Sequence, residues 1–142
     1  MPTVALASDH AGFAFKTVLA DELRASGHDI IDLGPHSEVS VDYPDFGRAL
    51  GETLAAGRAA YGIAICGSGI GISIAVNRIP GARCALVTSG LMARLARQHN
   101  DANCIAVGSR IIGIDTARDC VSQFLATPFE GGRHAGRVAK LG

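Results

Sequence analysis

The chain has 142 residues, of which 48% are hydrophobic, enough apolar material for one domain of ordinary size with a substantial core. Lysine and arginine together number 13, as do aspartate and glutamate, so the formal net charge is zero. This balance argues against a general nucleic-acid binder and against a protein of the membrane surface. No apolar run reaches the ~18 residues that cross a bilayer.

The N-terminal stretch and the cysteines both favour a cytoplasmic protein. The opening MPTVALASDH does not resemble a signal peptide, because an aspartate and a histidine interrupt it before a long apolar region develops. The four cysteines are widely spaced and form no CxxC pair, so reduced thiols are expected rather than zinc or redox chemistry. Cys84, Cys104 and Cys120 lie in patterns typical of a core, whereas Cys66 is followed by glycines.

Short apolar runs of strand type alternate with helical patterns along the chain. The predicted strands are TVALAS, HDIIDLG, YGIAIC, ARCALV and NCIAVG. The helical patterns are FKTVLADELRASG, roughly 46–59, a helix opening near Ile70, roughly 89–98, and a helix from about Asp115. Strands that are each followed by a helix imply βαβ crossovers and a parallel sheet covered on both faces. Residues 1–142 are therefore expected to form a single α/β domain, a three-layer α/β/α sandwich of Rossmann-like type with a five-stranded parallel sheet.

The breaks between these elements carry local signals. Gly27 is expected to end the first helix, and Asp115 can cap the last one. The polar loop GPHSEVSVDYPDF is the longest insertion, and long loops in compact domains are often functional. Pro128 must end the fifth helix before the C-terminal tail, residues 127–142.

Ligands of open parallel sheets bind beyond the carboxyl ends of the strands, where successive connections run to opposite sides. If the first strand lies between the second and the third, that crevice separates the exits of the first and third strands. Those exits are SDHAG and CGSGIG. The two most polar and glycine-rich strand exits would then face each other.

The stretch AICGSGIGISIA, residues 64–75, fails as a nucleotide-binding motif. A dinucleotide fingerprint that begins at Gly67 requires a third glycine where Ile72 stands, and no Lys-Ser or Lys-Thr pair follows to make a P-loop. What remains is a strand, a glycine turn and a helix start, whose free N–H groups attract anions. Such a turn also stabilises a thiolate at Cys66, although a tight turn beside a buried cysteine would explain the pattern too.

Two further groups of polar residues have both functional and structural interpretations. Asp9 and His10 end the first strand, where Asp9 could bind a ligand hydroxyl or cap the helix that begins near Gly12. His99 and Asn100 lie in RQHND, where a cationic histidine at a helix C-terminus and a helix-ending turn are sufficient structural explanations.

The arginines offer a candidate phosphate clamp. Arg110 follows the last strand, and Arg133 and Arg137 are four residues apart in the tail, so they would share one helix face. A solvated basic tail is the alternative interpretation of the same residues.

Six motifs in unbroken order, from about Val4 to Arg137, resemble the ribose-5-phosphate isomerase type B family. They are SDHAG, DYPDF, ICGSGIGISIAVN, RQHND, GSR and EGGRH. The resemblance implies interconversion of ribose 5-phosphate and ribulose 5-phosphate through an enediolate, without a metal or an organic cofactor. Ser68 stands where many members carry threonine, and both supply a hydroxyl. Close relatives isomerise galactose 6-phosphate or allose 6-phosphate, so a hexose phosphate is an alternative substrate, and a non-catalytic sugar-phosphate binding module is another.

The resemblance also implies roles for individual residues. Cys66 is the base, and Ser68 with the N–H groups of the glycine turn holds the enediolate oxygens. His99 opens the sugar ring, helped by contacts of Asp9 with the sugar hydroxyls. The residues implied in substrate binding are Asp9, His10, Gly67, Ser68, Gly69, Ile70, Gly71, Asn100, Arg110, Arg133 and Arg137.

The resemblance implies a homodimer, with a tetramer as the alternative. The resemblance implies sites that combine the first and third strand exits of one chain with the His99 region and the tail of the other. It further implies the strand order 2-1-3-5-4, which keeps the switch point between the first and third strands.

Overall fold

The computed structural model describes all residues from 1 to 142. Its strands are β1 (Val4–Ser8), β2 (Ile30–Asp32), β3 (Tyr61–Cys66), β4 (Cys84–Leu86) and β5 (Cys104–Gly108). Its helices are α1 (Phe13–Ala25), α2 (Tyr43–Ala55), α3 (Ile70–Asn77), α4 (Gly90–Asn100), α5 (Ile114–Ala126) and α6 (Arg133–Ala139). No helix combines the length and the apolar composition that crossing a membrane requires.

The strands form one parallel sheet in the order β2-β1-β3-β5-β4, which confirms the expected fold and strand order. Leu6 of β1 pairs with Ile63 of β3, and Ile63 pairs with Ile105 of β5. β1 and β5 are buried along their whole length, as expected for strands that helices cover on both faces. The switch point lies between β1 and β3, as predicted.

The two faces of the sheet carry different side chains. One face presents branched residues such as Leu6, Ile63 and Ile105, which form a core with residues of α1, α4 and α5, including Phe124. The other face presents mainly alanines and cysteines together with Leu50 and Ile72 from the covering helices α2 and α3. Small side chains on this face let α3 lie close to the sheet.

Glycines bring α2 and α3 into close contact. A Cβ atom added at Gly47 would lie 2.6 Å from the Cβ of Ala75, and one added at Gly51 would lie 2.7 Å from Cγ1 of Ile79. Real side chains do not approach this closely, so the two helices could not pack at this distance with larger residues. The position of α3 is therefore fixed by α2 on one side and by the sheet on the other.

Some element boundaries differ from the predicted ones. Helix α2 begins at Tyr43 rather than near residue 46, because Pro44 occupies its first turn, where the missing N–H costs nothing. The predicted cap of α5 is wrong: Gly113 is the N-cap, and Asp115 lies in the first turn and pairs with Arg118 at 2.8 Å. Gly27 does follow the end of α1, with φ +97°.

A buried ion pair fixes the start of the long polar loop. Lys16, which is 1% exposed, places Nζ 2.7 Å from Oδ1 of Asp32. The same oxygen accepts a hydrogen bond from the N–H of Gly34 at 2.9 Å. Burial raises the pKa of the Asp32 carboxyl, but the hydrogen bonds from Lys16 and Gly34 outweigh burial, and the pKa lies below its ordinary value.

Two of the three cysteines assigned to the core are fully buried, Cys104 and Cys120, whereas Cys84 is only partly buried. Burial raises the pKa of both buried thiols, that of Cys120 to about 11. These two cysteines are therefore protonated packing residues at neutral pH.

Candidate active site

The glycine turn between β3 and α3 forms a cradle around the sulfur of Cys66. Cys66 is 4% exposed, and its Sγ accepts a hydrogen bond from the N–H of Gly69 at 3.1 Å. Gly69 has φ +78°, a conformation that favours glycine, and a Cβ there would lie 2.7 Å from Cδ1 of Leu86. An N–H donor is a better partner for a thiolate than for a thiol, because hydrogen bonds to charged acceptors are stronger.

Some backbone N–H groups of the glycine turn are hydrogen-bonded within the chain, and others are free. The N–H of Ile70 donates to Oγ of Ser68 at 3.1 Å, and that of Gly69 is taken by Cys66. The N–H groups of Gly67, Ser68 and Gly71 make no hydrogen bond within the chain. These three donors, at the N-terminal end of α3, are therefore available to an anionic ligand.

Asp9 and His10 lie where β1 leaves the sheet beside this turn. Asp9 is 8% exposed, and its Oδ1 accepts the N–H of Gly12 at 3.1 Å, so its carboxylate also fixes the entry to α1. Nδ1 of His10 accepts the N–H of Val41 from the long loop at 3.2 Å. In its neutral form, an imidazole that accepts at Nδ1 carries its proton on Nε2, which leaves Nε2 as the donor.

Backbone hydrogen bonds tie the exit of β5 to the glycine turn. The N–H of Ser109 donates to the carbonyl of Cys66 and that of Arg110 to the carbonyl of Gly67, each at 2.9 Å. The guanidinium of Arg110 lies over Gly67, where a Cβ would be 3.2 Å from its Nη1. A cation thus stands beside the free N–H groups of the turn.

These elements enclose a cavity of about 570 Å³. It is lined by Asp9, Tyr43, Cys66, Gly67, Ser68, Ile70, Gly71, Ile74, Arg110 and Ile111. Seven of these residues belong to the predicted site: Asp9, Cys66, Gly67, Ser68, Ile70, Gly71 and Arg110. Another cavity, of about 530 Å³ between the N-terminus, α1 and α5, contains none of the predicted residues.

Tyr43 is a lining residue that received no role in the sequence analysis. Its ring lies directly on the glycine turn, where a Cβ added at Gly71 would be 2.6 Å from its Cε1. The signal for it was present, because Tyr43 belongs to DYPDF at the end of the long loop. The approach of Tyr43 therefore requires glycine at position 71.

His99 and Asn100 lie at the other edge of the sheet. Helix α4 leaves the carboxyl end of β4 and returns antiparallel to the strands, so its last residues reach the amino end of β5. Cys66 ends β3 at the carboxyl edge, and a six-residue strand spans about 20 Å at ~3.3 Å per residue. Within one chain, the structure does not bring His99 to Cys66.

At that amino edge, His99 stacks on His134 of α6. Their ring centroids are 4.5 Å apart and their planes differ by 13°. Nε2 of His134 lies 3.5 Å from Oε1 of Glu130, and Nε2 of His99 lies 3.9 Å from the same oxygen. Burial lowers the pKa of His134, His99 and Arg133 lower it further, and Glu130 acts in the opposite direction. His134 and Glu130 were missed in the sequence, although EGGRH contains both.

Arg97 fastens the end of α4 to the beginning of the tail. Its guanidinium donates to the carbonyl of Thr127 at 3.1 Å, to that of Ala102 at 2.7 Å, and to Oδ1 of Asp101 at 2.9 Å. The side chain is nearly buried and lies over the ring of Tyr61. Arg97 thus holds Thr127, the first residue of the tail, against the end of α4, the helix that carries His99.

The remaining predicted residues are exposed and lie apart from the glycine turn. Arg133 and Arg137 are on α6, so the expected helical face in the tail is present. Asn100 lines a separate cavity of about 410 Å³ that also includes Arg83 and Leu141. The site predicted from the sequence is thus divided into two parts, one at each edge of the sheet.

Comparison with known proteins places this arrangement in a family. Residues 4–141 match the model of the family described as Ribose/Galactose Isomerase. The chain is 40% identical over 141 residues to ribose-5-phosphate isomerase B of Escherichia coli, covering 99% of this chain and 95% of that protein.

Solved structures agree with this match. The ribose-5-phosphate isomerase B of Clostridium thermocellum is 48% identical, with a TM-score of 0.97 over 99% of this chain and 95% of that one. The ribose 5-phosphate isomerase of Thermotoga maritima is 44% identical, with a TM-score of 0.96 over 99% and 97% of the two chains. The chain therefore belongs to the ribose/galactose isomerase family.

Proposed function

We propose that this protein is an aldose-ketose isomerase that interconverts ribose 5-phosphate and ribulose 5-phosphate in the pentose phosphate pathway. The observation that carries the proposal is the buried thiol of Cys66 beside three free N–H groups and Arg110 in one cavity. A base next to anion-binding donors is what enolisation of a sugar phosphate requires. The names of the relatives from Escherichia coli and Clostridium thermocellum support the same substrate.

Ring opening comes first, because the aldose exists mainly as a furanose. The electron pair of the C1–O4 bond moves to O4, which takes a proton from His99. The C1 hydroxyl then loses its proton to water, and an aldehyde results. Asp9 accepts hydrogen bonds from sugar hydroxyls and so holds the open chain in the cavity.

The proton transfer follows at C1 and C2. The Cys66 thiolate removes the proton from C2, and the electrons of the C1 carbonyl move onto O1 to form an enediolate. The N–H groups of Gly67, Ser68 and Gly71 stabilise this charge, and the Ser68 hydroxyl carries the O2 proton to O1. Cys66 then returns its proton to C1, leaving the ketone at C2, so no metal or organic cofactor takes part in these steps.

The phosphate is bound by arginines from both parts of the site. Arg110 lies at the cavity, and Arg133 and Arg137 share α6. Guanidinium groups suit the phosphate oxygens because they donate in a planar fork. Nε2 of His10 is the remaining donor, and Asn100 binds sugar oxygens.

A homodimer completes the site in this proposal. Because His99 and the tail 127–142 lie at the edge opposite Cys66, a second copy has to supply them. Apolar side chains around the cavity support a partner there: Ile70, Ile74 and Ile111 are 52%, 53% and 60% exposed. Such a cluster is typical of a protein interface, and pairs of dimers would make the tetramer. All four cysteines are unpaired thiols, which fits the cytoplasm as location.

Deuterium exchange tests the proposal directly. In deuterated water, an isomerase incorporates deuterium at C1 of ribulose 5-phosphate, which NMR detects, whereas a binding module incorporates none. A panel of aldose phosphates ranked by kcat/KM, including allose 6-phosphate and galactose 6-phosphate, tests the substrate. A hexose at the top of that ranking would overturn the pentose assignment.

A further inference from the structure

We propose that Glu130 and His134 are positioning residues for His99: the ring of His134 fixes the plane of the His99 imidazole, and the carboxylate of Glu130 stabilises the imidazolium from which the sugar takes its proton. This inference rests on the proposed ring-opening role of His99. It adds two residues that touch His99 rather than the substrate.

The geometry separates the roles of the two imidazoles. The side chain of His99 is 40% exposed and that of His134 only 10%, so a sugar can reach His99 alone. The near-parallel stack at 4.5 Å restricts rotation of the His99 ring about its χ2 angle. The backbone of His134 is fixed in the first turn of α6, where its backbone N–H donates to the carbonyl of Gly131 at 3.0 Å.

A shared metal ion is the competing interpretation of the same cluster. The ligand atoms of His99, Glu130 and His134 all lie within 4.8 Å of one another. An imidazole binds a metal through a lone pair in its ring plane at about 2 Å. With ring centroids 4.5 Å apart and ring planes only 13° apart, the two lone pairs lie in separate, nearly parallel planes, so one ion could not lie in both. The arrangement suits two stacked rings beside one carboxylate better than a shared metal ion.

The groups that face His134 carry charges of both signs. His134 faces His99 on α4, Glu130 in the tail, and Arg133 and Arg137 on its own helix. Burial and these cations lower the pKa of His134, which disfavours a positive charge on its ring. Glu130, which is half exposed, supplies the only carboxylate near both rings.

The test separates ring opening from proton transfer at carbon. Isomerisation of ribose 5-phosphate needs both steps, whereas deuterium exchange into C1 of ribulose 5-phosphate needs only the enediolate and no ring. For Glu130→Gln we expect kcat for isomerisation to fall about tenfold with KM within twofold, while exchange stays within twofold. His134→Ala should behave alike, and His134→Phe, which keeps a stacked ring, should recover most of the loss. Glu52→Gln, an exposed carboxylate on α2, is the matched control.

Two results would overturn the inference. One is isomerisation within twofold of wild type in both Glu130→Gln and His134→Ala. The other is a parallel loss of isomerisation and exchange in these variants, which would mean a role in folding or substrate binding. Because Glu130 is half exposed, its variant tests the inference even if His134→Ala does not fold. His99→Asn, measured alongside, distinguishes failure of this inference from failure of the proposed function. A parallel loss of isomerisation and exchange in His99→Asn would remove the ring-opening role itself.

Discussion

The glycine turn and the stacked histidines each present one titratable group, but they hold it by different means. Around Cys66 the contacts come from backbone N–H groups and from strand ends that are buried in the sheet. Around His99 they come from side chains, Glu130 and His134, on a short tail that Arg97 fastens to α4. The proposed base, Cys66, is thus fixed by the fold itself, whereas the proposed acid, His99, depends on a few side chains that single substitutions can remove.

The largest expected effect is at the glycine turn. Cys66→Ala should lower kcat by at least 10²-fold and up to about 10⁴-fold, the usual contribution of a general base. Because the thiol fills a small buried space beside Gly69, the fold and phosphate binding should be nearly unchanged, as circular dichroism and calorimetry with phosphate can show. Isomerisation and exchange into C1 should decrease together, by the same factor. Retained exchange would remove Cys66 from the role of base.

Mixing two inactive variants tests whether the two regions act across chains. In a heterodimer of Cys66→Ala and His99→Asn, one site contains both changes and the other contains neither. Random pairing in a two-fold symmetric dimer yields half heterodimers, so an equimolar refolded mixture should reach about a quarter of wild-type activity. Each variant alone should stay below about 1%.

No recovery on mixing would contradict a shared site, provided that mass spectrometry shows heterodimers. A double variant, Cys66→Ala with His99→Asn, mixed with wild type is the control. In the heterodimers of this double variant with wild type, each site carries one change. Both sites are therefore inactive, and heterodimer formation adds no activity.

Weakening the attachment of the tail to α4 should leave proton transfer at the glycine turn intact. Arg97→Met removes three hydrogen bonds and leaves the carbonyls of Thr127 and Ala102 unpaired. We expect the free energy of unfolding to fall by about 2–3 kcal/mol, measured by urea denaturation, and isomerisation to fall about tenfold with exchange into C1 preserved. Arg94→Met, an exposed arginine on the same helix, should change neither. Equal loss of exchange would show that the two regions are not independent.

The smallest expected effect is a difference in pH response. Because the pKa of folded His134 lies below the ordinary value of 6.5, the unfolded chain takes up this proton first as pH falls. The contribution of His134 to stability is complete above pH 6.5 and is lost as the pH falls through the folded pKa. Amide protection factors in α6 should therefore decrease on acidification while those in β3 do not. His134→Phe should abolish the decrease, and an unchanged profile in that variant would assign it to another group.

Sequence patterns were sufficient for the fold and for the glycine turn because both depend on local rules. Alternating strands and helices imply the parallel sheet, whereas the strand order, which brings the exits of β1 and β3 together at the switch point, was implied by the family resemblance. The missed start of α2 at Tyr43 has a local cause as well, since Pro44 suits a first helical turn and was assigned to the loop.

The contact between His99 and His134 could not be predicted from any local sequence pattern. The stack of His99 on His134 depends on the path of the tail after Pro128, and that path is set by the contacts of Arg97 with Thr127. Arg97 reads as an ordinary helix residue in the sequence. The cap assigned to Asp115 failed because Arg118, one turn on, offers that carboxylate an ion pair.

The close contact of α2 with α3 restricts how this protein can change over time or in the laboratory. Replacing a helix glycine by alanine usually stabilises a protein by about 0.4–1 kcal/mol, and stabilisation campaigns favour such exchanges. At Gly47 and Gly51 the added methyl would strike Ala75 and Ile79 and push away α3, the helix that follows the glycine turn and its free N–H groups. Two residues that never meet a substrate thus belong to the mutationally intolerant part of the chain, and library designs should leave them fixed.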